Sequence, residues 1–299
     1  MTLKIGMIGL DTSHVSTFAK ILSNANGPHH VPGGRIVAGY PGASPDFALS
    51  TDRVEGFTKE LRDDFGALIV DSAQAVADAA DLVFITAVDG HTHLSWFEQV
   101  APAGKPVFID KPFTASVTDA QAILKLADRH NVTVMSCSSL RYGPGFTQML
   151  ADDSGGTVVG CDVCGPMQLE DALPGFFWYG CHSIEMLVAA MGVGYESVRV
   201  TTTDDCDLLV AKFPGGRIAT MRGMRSGHAS FQATIHRSES IQHVDPRAGD
   251  RSPDAEMLAA ILASLPNGRS AVPREQMLEV VKIMEAGNAA RGTDKTVAV

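Results

Sequence analysis

Three short runs carry the residue types that do chemistry. Gly9-Leu10-Asp11-Thr12-Ser13-His14 places a glycine, an acid, two hydroxyls and an imidazole directly after the apolar run Lys4–Ile8. A glycine turn at such a place lets the following helix offer amide N–H groups to a phosphate, and Thr12 and Ser13 add hydroxyls. Asp110-Lys111-Pro112 follows the apolar run Val107–Ile109, and the carboxyl ends of parallel strands are where doubly wound folds bind ligands. In Gly180-Cys181-His182-Ser183-Ile184-Glu185, His182 and Glu185 lie three apart, so a helix puts them on one face. An imidazole there can take and return protons near neutral pH.

These residues need elements to position them. In the first half, apolar runs at Lys4–Ile8, Arg35–Tyr40, Leu82–Thr86, Val107–Ile109 and Thr133–Ser136 alternate with amphipathic stretches at Val15–Leu22, Arg53–Phe65, Leu94–Ala101 and Thr118–Arg129. That alternation predicts βαβ units and a doubly wound parallel sheet over residues 1–140. After Asp152-Asp153-Ser154-Gly155-Gly156 the texture changes. Strand-like runs follow at Thr157–Cys164, Ser197–Thr203, Asp207–Phe213, Arg217–Arg222 and Ser230–His236, with Pro214-Gly215-Gly216 as a hairpin signal. Helices are expected at His182–Met191, Glu256–Leu265 and Arg274–Glu285. The expectation is an α+β second domain over 141–299 with a large, mostly antiparallel open sheet, its final helices able to pack back on the first domain.

Composition narrows the functions. The chain has 299 residues and a formal net charge of −10. Such a surface repels a phosphate backbone, so nucleic acid is not the expected partner. No apolar run reaches the ~18 residues of a membrane span. The N-terminus reads as a strand rather than a signal peptide, and five sparse cysteines suit reduced thiols, so a cytoplasmic location is expected. Cys161 and Cys164 sit three apart on a predicted strand, facing opposite sides, so they cannot share a metal. His91 and His93, two apart, share no helix face. No metal site is expected.

Gly104-Lys105-Pro106-Val107-Phe108-Ile109-Asp110-Lys111-Pro112 resembles the Gly-Lys-His-Val-x-x-Glu-Lys-Pro segment of the glucose–fructose oxidoreductase/inositol dehydrogenase (Gfo/Idh/MocA) family. His93 stands where that family starts a helix with Pro-Asn-x-x-His, Leu140-Arg141-Tyr142-x-Pro144 resembles its Arg-Phe/Tyr-x-Pro stretch, and Gly180–Glu185 is similar to its Gly-x-His-x-x-Asp helix. The resemblance implies a Rossmann domain that binds NAD or NADP, hydride transfer to or from a sugar, cyclitol or related small polyol, and a second-domain sheet that forms a homodimer or homotetramer. It implies that Lys111 holds the substrate oxygen and that His182 is the general base. Tyr179 offers a phenol where the family often has an Asp one residue earlier, at Trp178. Arg141, Tyr142, Trp178 and Glu185 are the candidate substrate contacts. Gly9, Leu10, Asp11, Thr12, Ser13, His14, Tyr40, Val88, His93, Asp110 and Lys111 are the candidate cofactor contacts.

The departures bear on chemistry. Asp11 replaces the second glycine and His14 the third. A carboxylate about 4 Å from a phosphate costs about 4 kcal/mol per charge pair at an effective dielectric near 20, unless a cation or a moved side chain relieves it. Asp11 or Ser13 is expected to cap the first helix. The second strand ends at Tyr40 without the acid that usually binds the adenine ribose, and no Arg or Lys beside it suggests a 2′-phosphate site. Besides the oxidoreductase, a lyase or isomerase acting next to a carbonyl and a non-catalytic ligand-binding protein both fit a scaffold with an altered turn.

Overall fold

The computed structural model describes residues 2–293 and 295–298. The chain forms two compact units. One comprises 1–114, 118–137 and 254–274; the other comprises 115–117, 138–253 and 275–299.

In chain order the first unit holds β1 (Leu3–Ile8), α1 (His14–Ser23), β2 (Gly34–Tyr40), α2 (Ala48–Asp63), β3 (Leu68–Ile69), α3 (Ala73–Ala79), β4 (Leu82–Ile85), α4 (His93–Val100), β5 (Val107–Ile109), α5 (Val117–His130) and β6 (Val134–Ser136). The strands make one parallel sheet in the order β3-β2-β1-β4-β5-β6. Helices cover both faces of such a sheet, so its strands are apolar without alternation: Leu82–Ile85 and Val107–Ile109 are wholly buried. Helix α1 lays Val15, Phe18, Ala19 and Leu22 on the sheet. Phe18, Phe84 and Phe108 then pack in edge-on pairs with ring centroids 6.0 and 5.1 Å apart.

The second unit holds α6 (Pro144–Ala151), β7 (Val158–Pro166), α7 (Gly180–Met191), β8 (Ser197–Thr202), β9 (Cys206–Phe213), β10 (Arg217–Met224), β11 (Gln232–Arg237) and β12 (Ile241–Val244). Helix α8 (Pro253–Ser264) comes next, lying almost entirely in the first unit, and α9 (Arg274–Ala290) and β13 (Thr296–Ala298) return to the second. Its sheet runs β12-β11-β7-β10-β9-β8-β13, antiparallel except where β7 pairs with β10. Period-two alternation sorts the faces. Leu209, Ala211, Ala219 and Met221 are buried, while their neighbours Leu208, Val210, Thr220 and Arg222 lie on the other, more open face. Pro214-Gly215-Gly216 makes the β9–β10 turn, with both glycines at positive φ. Cys161 is buried and Cys164 half-buried on opposite faces of β7.

Several elements are absent from the sequence reading. Strand β3 has two residues, too few for a period. Helix α3 is an alanine run made a helix by its start, where Ala75 N–H donates to Ser72 Oγ at 3.2 Å. Pro144 at the first position of α6 reads equally as a loop residue. Strands β12 and β13 are short edges.

Candidate functional site

The first-unit candidates gather at the carboxyl ends of β1, β4 and β5. Gly9 turns at φ +83°, and a Cβ there would run into the backbone of Ala87, so only glycine fits. Thr86, buried, donates its hydroxyl to Gly9 O at 2.8 Å. The N–H groups of Gly9 and Leu10 go to Tyr40 O and Pro41 O at 3.1 and 2.7 Å, and the Leu10 side chain is core. Neither amide is therefore open to a ligand. The amides of Thr12 and Ser13 donate to no protein acceptor among the described residues.

Asp11 does not cap α1, contrary to expectation, and neither does Ser13, the N-cap residue, whose side chain makes no cap bond. The Asp11 carboxylate is fully buried. It accepts from Val88 N–H at 2.8 Å and from Ser50 Oγ at 2.6 Å, and Ser50 Oγ accepts in turn from Ser44 N–H at 2.9 Å. Two better donors outbid the helix end, and the side chain that threatened the phosphate turn is withdrawn from it. It instead ties that turn to the 41–47 loop and to the turn after β4. Burial pushes its carboxyl above the ordinary value of 3.8, against the pull of these hydrogen bonds.

A group with a raised folded pKa contributes most to stability below its unfolded value and loses that contribution as pH rises to its folded value. Asp11→Asn keeps the shape and cannot ionise. The stability of the native protein relative to Asp11→Asn is expected to fall as pH rises above 3.8, then level off. Urea denaturation of both proteins across that window reads it, and a constant difference rejects it.

His14 Nδ1 forms a very short ion pair with Asp110 Oδ2, whose other oxygen accepts the Lys111 N–H at 2.8 Å. The His14 ring stacks on Phe18 with centroids 4.8 Å apart. The expectation that His93 lines a cofactor cleft is corrected. It is fully buried, with Nε2 2.8 Å from Ala87 O and Nδ1 3.1 Å from Phe113 O, joining the end of β4 to the segment after Lys111. Tyr40 lies half-buried, edge-on to Trp96 at 5.7 Å.

In the second unit, Gly180 to Met191 form α7 and carry His182 into its first turn. His182 Nδ1 lies 2.7 Å from Ser138 Oγ, which also accepts Leu140 N–H at 3.3 Å. The His182 ring sits 5.6 Å from both Tyr179 and Phe231, and Tyr179 stands edge-on to Trp178 at 5.6 Å. The shared helix face of His182 and Glu185 does not make them partners, because the Glu185 carboxylate pairs with Arg141 Nε. That pair is buried, with 12% and 6% of the two side chains exposed. Tyr142 is half-buried in the short 3-10 turn Ser139–Tyr142. Ser138, Phe231, Ser50 and Trp96 escape sequence reading.

Among the described residues, no group of three His, Cys, Asp or Glu is placed to hold a metal ion, and no helix is long and apolar enough to cross a membrane.

A parallel sheet in the order 3-2-1-4-5-6 with a glycine turn after its first strand defines the Rossmann class of dinucleotide-binding domain. Residues 4–137 match the model of the oxidoreductase family with an NAD-binding Rossmann fold, Gfo/Idh/MocA. The whole chain superimposes on myo-inositol 2-dehydrogenase from Lactobacillus plantarum, with a TM-score of 0.81, 17% identity and all of both chains covered. It superimposes on a myo-inositol dehydrogenase from Corynebacterium glutamicum with a TM-score of 0.76 and 14% identity, covering 100% of this chain and 99% of that one. An oxidoreductase from Agrobacterium radiobacter in complex with NAD+, L-tartaric acid and magnesium gives a TM-score of 0.75 at 14% identity, covering 100% and 98%. At these identities the likeness carries the fold. No curated protein matches the chain.

The residues of the first unit fit a dinucleotide diphosphate. Gly9 keeps the turn free of a Cβ, the Asp11 carboxylate is withdrawn, and two successive amides in the turn have no acceptor among the described residues. Such amides form the concavity that binds anions.

Proposed function

We propose that this protein is an NAD(P)-dependent oxidoreductase that acts on a sugar, cyclitol or related small polyol. The observation that carries the reading is the phosphate turn, with the amides of Thr12 and Ser13 unclaimed and Asp11 turned into the interior. The match of residues 4–137 to an NAD-binding oxidoreductase family supports it, and so do solved structures of the same fold named for myo-inositol.

A bound nicotinamide supplies or accepts the hydride. His182 takes the proton of the substrate hydroxyl in oxidation and returns it in reduction. The Lys111 ammonium holds a substrate oxygen and favours its alkoxide, and Tyr179 offers a phenol beside His182. Arg141, Tyr142, Trp178 and Glu185 remain the proposed substrate side, with Arg141 and Glu185 acting as a paired unit. The exposed face of the second sheet is the proposed surface for a homodimer or homotetramer, and the cytoplasm the proposed location.

Titration of the purified protein with NADH and NADPH, followed by nicotinamide fluorescence and calorimetry, tests the reading. Binding in the micromolar range is expected, followed by NADH production in a screen of cyclitols and sugars. No binding of either dinucleotide up to about millimolar, about −4 kcal/mol of binding free energy, on folded and cofactor-free protein overturns it.

A further inference from the structure

The third glycine of the dinucleotide turn is replaced by a side chain that the fold holds in a definite state. His14 Nδ1 is bonded to Asp110, a carboxylate only 3% exposed, which also accepts the backbone N–H of Lys111. The ring is fixed against Phe18. The other ring nitrogen, Nε2, has no protein partner among the described residues, and the side chain keeps 18% of its surface. Close by in sequence stand the two unclaimed amides of Thr12 and Ser13. A glycine at this place has only its backbone to offer. An imidazolium anchored at one nitrogen offers a charged N–H donor at the other, and charged donors make the stronger hydrogen bonds to phosphate.

We propose that His14, oriented by Asp110, is the charged member of a diphosphate grip whose neutral members are the amides of Thr12 and Ser13. The grip binds the diphosphate of a nicotinamide dinucleotide more tightly when the imidazole is protonated. This rests on the reading of the protein as dinucleotide-dependent and goes beyond it, because it makes cofactor affinity a function of pH.

The groups that act on His14 are few. Burial lowers its pKa, but the charge and hydrogen bond of Asp110 outweigh that and hold it above the usual 6.5. Lys111, after β5, opposes the imidazolium, and Asp254, in the first turn of α8, favours it. A raised pKa keeps the charged form present up to a higher pH, and the gain in affinity is lost as pH rises through that pKa. The diphosphate stays ionised throughout.

The experiment is NADH and NADPH titration between about pH 6 and about pH 9 of the native protein, His14→Gln and Asp110→Asn. For the native protein, Kd is expected to rise about tenfold across the range, the size of one charge-assisted hydrogen bond. His14→Gln binds about tenfold more weakly at the acid end and shows no such rise. Asp110→Asn removes the counter-charge and moves the rise to lower pH, an effect that loss of structural support alone does not produce. A pH-independent Kd in the native protein, or the same rise in His14→Gln, overturns the proposal and leaves the oxidoreductase reading standing. Absence of binding at every pH removes both.

Discussion

Lys111→Ala retains at most about one per cent of native turnover, the size of lost help at a reacting oxygen. Lys111 is half-buried and its backbone N–H is pinned to Asp110 at 2.8 Å, so its stem starts from a fixed point. Truncation beyond Cβ leaves that anchor untouched. If the ammonium holds the developing alkoxide, the loss falls on kcat and kcat/KM alike, while NADH affinity stays within about threefold. His182→Ala is expected to lose about as much. The informative companion is Ser138→Ala. Ser138 Oγ accepts Leu140 N–H with one lone pair, and the other can accept His182 Nδ1–H. That arrangement leaves Nε2 as the basic nitrogen, which a general base requires. Ser138→Ala releases the tautomer and should cost about tenfold in kcat. Steady-state rates with a polyol found by the screen decide the matter. Lys111→Ala and His182→Ala enzymes that both keep more than about a tenth of native turnover would remove the two residues from the chemistry.

What could be read from the sequence divides by range. Each strand of the first sheet except β3 is an apolar run between turn residues, a local property, and the sheet appears at those runs in the expected parallel form. Ala219 and Met221 fall on the core side of β10 because alternation is also local. The partners of polar side chains are a different matter. Asp11 meets Ser50 and Val88, 39 and 77 residues away. Short-range preference favours a cap at such a position, and only the folded chain brings the competing donors near. His182 finds Ser138 at a separation of 44 residues, and Glu185 finds Arg141 at the same separation. The helix spacing rightly set His182 and Glu185 on adjacent turns, but a buried carboxylate takes the nearest cation, and that cation lies outside the helix. His93 is enclosed by two backbone carbonyls, those of Ala87 and Phe113, 6 and 20 residues away.

Asp207 shows how much of the stability hides in such unreadable pairs. In sequence it only opens a strand. In the fold it is fully buried on β9, with Oδ2 accepting Arg225 Nη1 at 2.8 Å and Arg291 Nε at 2.9 Å. Arg225, 12% exposed, also donates to the carbonyls of Thr203 and Asp204, so one carboxylate fixes the end of the β9–β10 ladder and the segment after α9. Removing one partner of a buried pair costs more than the pair is worth, because the remaining charge keeps its desolvation and loses its attraction. Asp207→Ala is therefore expected to lose about 3–5 kcal/mol, a large share of the ~5–15 kcal/mol typical of a domain. Arg291→Ala should lose less, on the order of 1 kcal/mol, because its 28% exposed side chain already meets solvent and Arg225 still neutralises Asp207. Urea denaturation of these two variants, of Arg225→Met and of Asp207→Ala/Arg225→Met provides the cycle for the Asp207–Arg225 pair. The double variant, with no buried charge left alone, should be more stable than Asp207→Ala. A loss below about 1 kcal/mol in Asp207→Ala would mean that the arginines find other acceptors, and that the ladder end is held by its backbone hydrogen bonds instead.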